Sequence, residues 1–561
     1  MCGIKLQEEK AVPREKFTKE DSLYILVILV TIAYFISILL LNLTGRVWSN
    51  YDIYMDAILA KYMWQTKSLF PEGWYFGNQI YTVATPAVAA LFYGIVKDAY
   101  LALALASCFM TSGIVVSYSW CLKPFVNLKS IVISLLVVLG GTNIGFTAHG
   151  DWEGLQVFYT MASYYACYVI GIFITLGVFF RLVNHRKVHV AVQLGVLLYN
   201  LALGMQSLRE LLVLNLPLCA IVVLDVMLHW KSLRKNLQEK WYSYTFAIFA
   251  LIANVCGVFI TKYLVSNGVI KQTTIVSGVG TNFWHNFKVS VRELLDYIGI
   301  NMTVPVTSLE WLELTAGIFS IIVVIMTLLC IVIKYLKSKK ISELEYIVLF
   351  FVISLLAVFC AGLFVISLRN IYFFCWYFLV ATSVVRLMEV KVEMHSERMD
   401  LAKKIFMVIL LVCSVLNYRF TFYQSFSWLS GTNDMYQKIV EQLQADNICY
   451  LYSDWRTERN KITAMSHDEI QYGTLEFSGK SDDLWRGTGC LYHEEWFEPT
   501  NFEQAYIVLS DYALYCLESE FSEEYRTTFM DNLEHVYSVQ ADGEELHFYK
   551  GSEKMYADMI R

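Results

Sequence analysis

The first long apolar run of the chain reads LYILVILVTIAYFISILLLNL, from Leu23 to Leu43. It contains no charged residue. A helix needs about 20 apolar residues to cross the hydrocarbon core of a bilayer, so this run predicts a transmembrane helix. It is too long for the apolar region of a signal peptide, and a polar segment precedes it. We therefore expect an N-terminus that stays attached to the membrane.

Further apolar runs follow along most of the chain and predict a polytopic membrane protein. Eleven transmembrane helices are predicted to begin near Leu23, Ala99, Ser130, Leu155, His189, Leu211, Ser243, Leu312, Glu345, Ile371 and Ile405. A shorter run from Thr82 to Val96 contains Pro86 and Gly94. If this run spanned the membrane, the basic loops after it would lie outside, against the positive-inside rule. It is therefore interpreted as a re-entrant or juxtamembrane helix.

The composition supports the same class of protein. The 561 residues are 57% hydrophobic, 15% aromatic and only 17% charged, whereas soluble domains have about 25% charged residues. From Phe422 onward the chain has 26 acidic and 10 basic residues, while the part before it has a net positive charge. This division predicts a membrane domain followed by one acidic soluble domain. Because no basic patch accompanies the aromatic residues of that domain, we do not expect a nucleic-acid partner.

The positions of the basic residues predict the topology. Lys5, Lys10 and Arg14 place the N-terminus in the cytoplasm. One of the predicted cytoplasmic loops carries Lys231, Arg234, Lys235 and Lys240. The expected organisation is a cytoplasmic tail over residues 1–22, a transmembrane domain over 23–421 with large outer loops at 45–98 and 265–311, and an extracytoplasmic domain over 422–561.

The fold class is expected to be predominantly α with a C-terminal α/β domain. In that domain the pattern predicts a helix at Tyr436–Gln444 and strands at Ile448–Tyr452, Ala505–Leu509, Val536–Val539 and Leu546–Tyr549. In the second outer loop, Phe283–Gly299 has the period of an amphipathic interfacial helix. The three cysteines of the tail, Cys449, Cys490 and Cys516, have no CxxC spacing and indicate neither a zinc site nor a full disulfide framework.

Candidate catalytic residues begin immediately after the first transmembrane helix. Asp52 and Asp56 fall on one face if that stretch is helical. An acid at the membrane boundary can take a proton from an acceptor hydroxyl or help to hold a divalent cation. In the alternative reading, Asp52 caps a short helix and Asp56 is solvated.

Two further groups lie on the same side of the membrane. His149, Asp151 and Glu153 follow the third predicted span, where such a cluster is costly unless it is used or paired. An ordinary tight loop would also explain them. Trp74 and Tyr75 suit either an interfacial aromatic belt or the stacking of a sugar ring.

Two arginines stand at the outer ends of predicted helices, Arg209 beside Glu210 and Arg369 before Tyr372. A guanidinium at headgroup depth can bind a lipid phosphate through paired N–H bonds. Snorkelling, or an Arg209–Glu210 pair that binds nothing, is the alternative. His285 and Lys288 in the second outer loop could share the phosphate-binding role.

Several common motifs are absent from the sequence. It contains no Walker A sequence, no GxGxxG that opens a helix after a strand, and no HExxH or GxSxG motif. These absences argue against ATP-driven transport, soluble nucleotide-sugar transfer and metalloprotease activity.

Taken in order, these elements resemble the GT-C superfamily of polytopic glycosyltransferases, which use polyprenyl-phosphate-linked sugars. The resemblance rests on an early acid after the first helix (Asp52), an aromatic stretch with a Pro-led juxtamembrane helix (Ala84–Gly94), a second acidic element (His149-Gly-Asp151), a late Arg-x-x-Tyr junction (Arg369–Tyr372) and a terminal outer domain.

The resemblance implies a function and its site. Asp52, with Asp56 or Asp151 as alternatives, would be the base of an inverting sugar transfer. Arg369, with Arg209, Lys288 and Tyr372, would bind the donor phosphate, and His149, Glu153, Trp74, Tyr75 and His285 would contact the substrates. The partners would be a polyprenyl-phosphate sugar donor, a cell-envelope glycan or lipid acceptor, and the bilayer of the plasma membrane. No cofactor is assigned, and the need for Mg or Mn stays open.

Two other functions remain open at this point. A polysaccharide or lipid transporter without transferase activity would also have about eleven helices, but it should carry ionisable residues near the bilayer midplane and matching halves. Asp225 is the one acid well inside an apolar run. A non-catalytic scaffold that displays the acidic domain would not need so many helices.

Overall fold

The computed structural model describes residues 22–44, 51–140, 165–272, 282–300, 311–364, 374–389, 397–418, 433–454, 460–467, 469–476, 485–486, 492–493, 502–541 and 544–560. The helices before the C-terminal region are α1 (Ser22–Thr44), α2 (Tyr51–Thr66), α3 (Thr85–Val96), α4 (Ala99–Leu122), α5 (Leu128–Val138), α6 (Ala166–Val183), α7 (Val190–Gln206), a π-helix (Leu211–Asn215), α8 (Leu216–Leu228), α9 (Leu233–Ser266), α10 (Phe283–Ile298), α11 (Trp311–Ser338), α12 (Glu343–Gly362), α13 (Cys375–Met388) and α14 (Glu397–Tyr418). Two short strands, β1 (Trp74–Phe76) and β2 (Lys271–Gln272), interrupt them.

The helices confirm the predicted fold class. Within the described residues, seven helical segments are long and apolar enough to cross a membrane, by length and composition: Ser22–Leu43, Ala99–Leu122, Ala166–Val183, Leu211–Leu228, Trp230–Ser266, Leu314–Ser338 and Glu343–Gly362. Five shorter apolar helices accompany them, and one of these is α3, whose second residue is Pro86. A proline fits the first turn of a helix because its missing N–H has no helical partner there. These helices form the membrane domain of an integral membrane protein.

One predicted loop is wrong. Arg234, Lys235 and Lys240 do not lie in a loop but in the first three turns of α9, which continues without a break for 34 residues. Leu, Arg, Lys, Gln and Glu are all good helix formers, so charge alone does not end a helix here. Lys240 donates to Asp225 of α8 at 2.8 Å, and this bond ties the two helices together.

Buried charges also join the ends of α11, α12 and α13. Glu345, whose side chain is 1% exposed, accepts bonds from Arg386 at 2.6 and 2.9 Å. Lys334 donates to both carboxylate oxygens of Glu345 at 3.0 Å, and the backbone N–H of Ser342 donates at 2.7 Å. A buried carboxylate is tolerated when its lone pairs are satisfied in this way.

Helices α7 and α9 approach each other at their backbones. A Cβ atom added at Gly204 would lie 1.9 Å from the carbonyl oxygen of Asn254, and one added at Gly257 would lie 2.1 Å from that of Leu201. Small residues allow such close approach between membrane helices. The end of α7, which carries part of the candidate site, is therefore held against α9.

The C-terminal region is an α/β structure. Its helices are α15 (Asn433–Ala445), α16 (Asn460–Met465), α17 (Asp511–Glu520), α18 (Glu523–Asp531) and α19 (Glu553–Ile560). Its strands are β3 (Tyr450–Asp454), β4 (Gln471–Glu476), β5 (Trp485–Arg486), β6 (Tyr492–His493), β7 (Ala505–Ser510), β8 (Leu533–Ala541) and β9 (Glu544–Gly551). The predicted helix and all four predicted strands are confirmed, with small differences at their ends.

Six of these strands form one sheet in the order β5-β4-β3-β7-β9-β8. The central pairs β3–β4 and β3–β7 are parallel, and the pairs at both edges are antiparallel. Strand β7 is buried along its whole length, because alternate side chains face opposite layers of helices. Tyr506 and Val508 pack in the cluster with α15, whereas Ile507 and Leu509 pack in the cluster that holds α17 to α19.

Candidate functional site

The first large loop is attached to the end of α7. Ile80 donates its backbone N–H to the carbonyl of Gln206 at 3.3 Å, and the hydroxyl of Thr82 donates to the carbonyl of Ala202 at 2.7 Å. The Gln206 carbonyl belongs to the last residue of α7 and has no partner inside the helix, so a neighbouring segment can bind it. The two bonds together place Gln79 beside the residues that follow α7.

Arg209 lies at this junction. Its Nη1 donates to Oε1 of Gln79 at 2.6 Å, and its guanidinium carbon is 5.4 Å from the ring centroid of Tyr165. The hydroxyl of Tyr168 donates to the same Gln79 oxygen at 3.2 Å. We call Arg209, Gln79, Tyr165 and Tyr168 the Arg209 cluster. Gln79 and both tyrosines are buried and Arg209 is half-buried, so the cation has a fixed position in a partly desolvated setting.

A π-helix follows immediately after Arg209 and Glu210. Pro217 has no N–H to give to the carbonyl of Val213, four residues before it, and that carbonyl instead accepts a bond from Ser354 of α12 at 3.0 Å. Single-turn π segments inside helices are frequent at functional sites.

Glu210 and Asn215 stand at the two ends of this segment. Both side chains are fully buried, and neither has a hydrogen-bond partner among the described residues. The Glu210 carboxyl packs against Gly171 of α6, where an added Cβ would lie 2.8 Å from Oε1. The alternative prediction of an Arg209–Glu210 pair is wrong, because Glu210 turns into the helix bundle while Arg209 turns to Gln79.

Asp52 and Asp56 both lie on α2, as the predicted helical spacing requires. Asp56 is 1% exposed, so the prediction that it could be solvated is wrong. It is flanked by the buried side chains of Met55 and Ala57. The side chain of Asp52 lies outside the described residues. Helix α2 packs against α3, α4 and α16, which brings it into contact with the C-terminal region.

A three-stranded sheet joins three distant parts of the chain. Strand β1 pairs in parallel with β2 and antiparallel with β6, with Trp74 opposite His493. The ring of His493 stacks on Tyr62 of α2 with centroids 4.5 Å apart and an angle of 9°, and its Nε2 is 3.0 Å from the carbonyl oxygen of Glu72. Gly73 has a φ of 79°, and a Cβ there would lie 2.9 Å from Nε2 of His493, so the position requires glycine. The first loop, the second loop and the C-terminal region therefore meet at one place.

The two aromatic candidates of this sheet have different environments. Trp74 is 1% exposed and packs beside Tyr62, so its ring offers no face to a sugar or a lipid, and both expected roles are wrong for it. Side chains alternate between the two faces of a strand, so in β1 Trp74 points inward and Tyr75 points to the opposite face. Tyr75 is half-buried, with the Lys271 ammonium 5.3 Å from its ring centroid.

The second loop contains the predicted amphipathic helix as α10. His285 and Lys288 are both exposed on it. The buried side of α10 includes Asn286, which donates to the carbonyl of Leu363 at 2.9 Å. Within the described residues, neither His285 nor Lys288 forms a hydrogen bond to the Arg209 cluster.

Other predicted site residues lie outside the described residues. These are His149, Asp151, Glu153, Arg369 and Tyr372. Their roles remain predictions from the sequence.

Among the described residues, one group of side chains has the spacing of metal ligands, and it lies in the C-terminal region. Ligand atoms of Asp511, Glu545 and His547 lie within 4.8 Å of one another. The Asp511 carboxylate accepts the backbone N–H of Glu545 at 3.1 Å and lies 3.3 Å from Nε2 of His547. These two contacts, the first being the larger effect, lower the pKa of Asp511. Asp511 is exposed while Glu545 and His547 are half-buried, and the contacts among the three account for their geometry without an ion.

The sequence reasoning missed Gln79, which orients the cation. A lone glutamine in an aromatic loop carries no local signal of such a role. It becomes evident only from the bonds that attach the loop to the end of α7.

Comparison with known proteins gives little further information. No family model and no curated protein matches the chain. Among solved structures, the crystal structure of ArnT from Cupriavidus metallidurans bound to undecaprenyl phosphate is similar at 11% identity, with a TM-score of 0.40, over 94% of this chain and 98% of that chain. A likeness this distant supports no argument about activity.

Proposed function

We propose that the chain is a membrane glycosyltransferase that moves a sugar from a polyprenyl-phosphate donor to a cell-envelope glycan or lipid acceptor at the outer face of the plasma membrane. The observation that supports this most directly is the Arg209 cluster. A cation held by Gln79 between tyrosines, at the end of an apolar helix, suits the phosphate of a lipid-linked substrate.

In this proposal Arg209 binds the donor phosphate. As the bond between the anomeric carbon and the phosphate oxygen breaks, negative charge grows on the departing polyprenyl phosphate. A guanidinium that is already in place stabilises that charge without having to reorganise. Arg369, Tyr372 and Lys288 are proposed to share this role on the basis of the sequence alone.

The acceptor is activated by an acid on α2. Asp52, with Asp56 and Asp151 as alternatives, takes the proton of the acceptor hydroxyl, and the oxygen attacks the anomeric carbon from the face opposite the phosphate. The electron pair of the broken bond leaves with the phosphate, so the configuration at the sugar is inverted. Asp56 is 1% exposed, and a carboxylate so deeply buried is poorly placed to meet an acceptor hydroxyl, which favours Asp52 as the base.

The C-terminal region is proposed to lie outside and to place the acceptor. The contact of His493 with Tyr62 and Glu72 supports this role, because it fixes the C-terminal region against α2, the helix that carries the proposed base. Tyr75, His285, His149 and Glu153 are proposed to contact the sugars. We assign no metal.

The transporter alternative is less well supported. A transporter should carry ionisable residues inside its apolar helices, and Asp225 is the acid that fits this expectation. Its carboxylate accepts bonds from Lys240, Tyr244 and Tyr346. Such a fully bonded carboxylate fits a fixed joint between α8, α9 and α12 better than a group that binds and releases a substrate.

The test uses the full-length protein in detergent with radiolabelled polyprenyl-phosphate hexoses and a membrane extract that supplies the acceptor. Wild type is compared with Asp52→Asn, Asp56→Asn and Arg209→Gln, and with Arg234→Gln as an exposed control at the start of α9. We expect sugar transfer by wild type and the control, loss of at least a hundredfold in Asp52→Asn, and a raised donor KM in Arg209→Gln.

The outcomes separate the parts of the proposal. Full activity of Asp52→Asn with loss in Asp56→Asn would move the base to Asp56. Full activity of Arg209→Gln would remove the Arg209 cluster from the donor site. No transfer from any donor, with an acceptor shown to be present, would contradict the glycosyltransferase function.

A further inference from the structure

A chain of hydrogen bonds joins an aspartate, a histidine and a serine on the hairpin of β8 and β9. Nδ1 of His547 lies 2.8 Å from Oγ of Ser538, and its Nε2 lies 3.3 Å from Oδ1 of Asp511. Nε2 of a second histidine, His535, lies 2.9 Å from the same serine oxygen. A hydroxyl bonded to a base that is itself oriented by a third group is the arrangement of an activated nucleophile.

An irregularity in β8 brings the second histidine to the serine. Side chains alternate between the two faces of a strand, so positions 535 and 538 of a regular strand would face opposite sides. In β8 the register shifts by one residue, so that His535 lies opposite Tyr549 while Ser538 lies opposite His547. The two β9 residues are two positions apart and share a face, and their two partners therefore share it as well. Bulges re-aim side chains in this way and are frequent next to active sites.

The bonds assign the positions of the protons. At neutral pH the carboxylate of Asp511 only accepts, so Nε2 of His547 carries a proton and Nδ1 is the acceptor. The hydroxyl of Ser538 therefore donates to Nδ1, and Nε2–H of His535 donates to the serine oxygen. The N–H of Glu545 donates to the other oxygen of Asp511 at 3.1 Å and fixes the carboxylate. His547 is thus placed to take the proton of the serine.

The serine lies at an accessible place in the fold. Ser538 and His547 are half-buried, whereas Asp511 and His535 are exposed. In the sheet formed by the described residues, β8 is an edge strand. The open side of the site therefore faces solvent, from which a small substrate can approach Oγ.

We propose that Ser538 is a nucleophile that cleaves carboxylic esters, an activity that does not depend on the proposed sugar transfer. Oγ attacks the carbonyl carbon of the ester, and its proton passes to Nδ1 of His547. The N–H of His535, which already bonds to Oγ, donates to the oxyanion that forms beside it. The bond from the carbonyl carbon to the alcohol oxygen then breaks, and the alcohol leaves with the proton of His547.

Water completes the reaction. His547 takes a proton from a water molecule, whose oxygen attacks the acyl group on Ser538, and the bond to Oγ breaks. The carboxylic acid is released, and the proton returns to the serine. Asp511 does not touch the substrate, and it acts as a positioning residue that holds the reactive tautomer of His547.

The test treats the full-length protein in detergent with a fluorophosphonate probe, which reacts with activated serines, and locates the label by mass spectrometry of peptides. Hydrolysis of p-nitrophenyl acetate is measured in parallel. We expect wild type to be labelled at Ser538 and to hydrolyse the ester. Ser538→Ala should abolish both reactions, and His547→Gln should slow them roughly a hundredfold or more, because it removes the base.

Matched variants separate the chemistry from folding, and the thermal midpoint of each variant shows whether it is folded. Ser519→Ala removes an exposed serine of α17 and should behave like wild type. Asp511→Asn should slow both reactions, and Asp511→Glu should restore part of the rate. Folded wild type without label at Ser538 would overturn the proposal, as would equal labelling of wild type and His547→Gln. Labelling without hydrolysis of the ester would overturn it as well.

Discussion

Arg209 and Gln79 are 130 residues apart in sequence, and their side chains meet at 2.6 Å. The contact exists because the first loop binds the last turn of α7 through Ile80 and Thr82. A neutral amide that orients a guanidinium leaves its positive charge intact. The arrangement is therefore suited to present a cation rather than to neutralise it.

This relationship gives a test of the role of Arg209 that does not remove the arginine. Gln79→Ala deletes a bond to a charged group, which is worth about 1.5–3 kcal/mol, so transfer activity should fall roughly ten- to hundredfold. Gln79→Glu keeps Arg209 in place but cancels its charge, and it should raise the donor KM at least as much. Steady-state kinetics on both variants, beside the exposed control Gln65→Glu, measure this. A Gln79→Glu enzyme with the wild-type donor KM would show that the charge of Arg209 plays no part.

Close packing of α7 on α9 predicts opposite effects at two glycines of one helix. Gly204→Ala would place a Cβ 1.9 Å from a backbone oxygen, so the helices must separate. Overpacking of this kind costs about 1–3 kcal/mol, and the thermal midpoint should fall. At Gly195 an added Cβ meets nothing within 4 Å. Gly195→Ala should leave the midpoint unchanged or raise it, because alanine stabilises a helix interior by about 0.5–1 kcal/mol relative to glycine. Equal midpoints for the two variants would contradict the described packing.

The buried Glu345 predicts a large loss of stability when one partner is removed. Glu345→Leu leaves Arg386 buried without its carboxylate, which costs about 3–5 kcal/mol. Thermal unfolding in detergent should show a strongly lowered midpoint, while the neighbouring Glu343→Gln stays close to wild type. The double variant Glu345→Leu/Arg386→Leu should recover part of the loss, because it removes the buried guanidinium and leaves only the partly exposed Lys334 without its carboxylate. A double variant less stable than the single one would argue against this explanation.

The Asp511 carboxylate predicts a dependence of stability on pH. The N–H of Glu545 and the contact with His547 lower its pKa in the folded protein. Its contribution to stability is therefore present above the unfolded pKa of about 3.9 and is lost as the pH falls through the lower folded value. The difference in midpoint between wild type and Asp511→Asn should be present at pH 5 and shrink toward pH 3. Asp531→Asn removes one carboxylate from an exposed residue of α18 and serves as the matched variant in these measurements.

Local patterns were sufficient to predict many of the elements. Helix α10 was predicted because its apolar residues recur with the helical period, and strands β7 and β9 because short apolar runs are bounded by polar ones. The start of α9 was missed because its charged residues resemble a loop, although most of them favour helix. Hydrophobic periodicity and secondary-structure propensity depend on residues close together in sequence. They identify helices and strands, but not which of these pack together.

The candidate site depends on contacts between residues that are far apart in sequence, so less of it could be predicted. The role proposed for Arg209 follows from its place at a helix end, which the sequence already indicates. The burial of Trp74 could not be inferred, because it results from Tyr62 and from strands β2 and β6, which begin 197 and 418 residues after it in sequence. Gln79 was missed for the same reason.

The three-stranded sheet also has a consequence for how the protein is made. Gln272 of β2 bonds to the carbonyl of Gly77, 195 residues before it, and His493 contacts Glu72, 421 residues before it. A ribosome releases the chain from the N-terminus onward, so β6 is made only after all helices of the membrane domain, and β1 lacks this partner until then. The first loop therefore acquires its final structure late in biosynthesis. Truncation before residue 492 would leave helices that can insert but a loop that cannot complete its sheet.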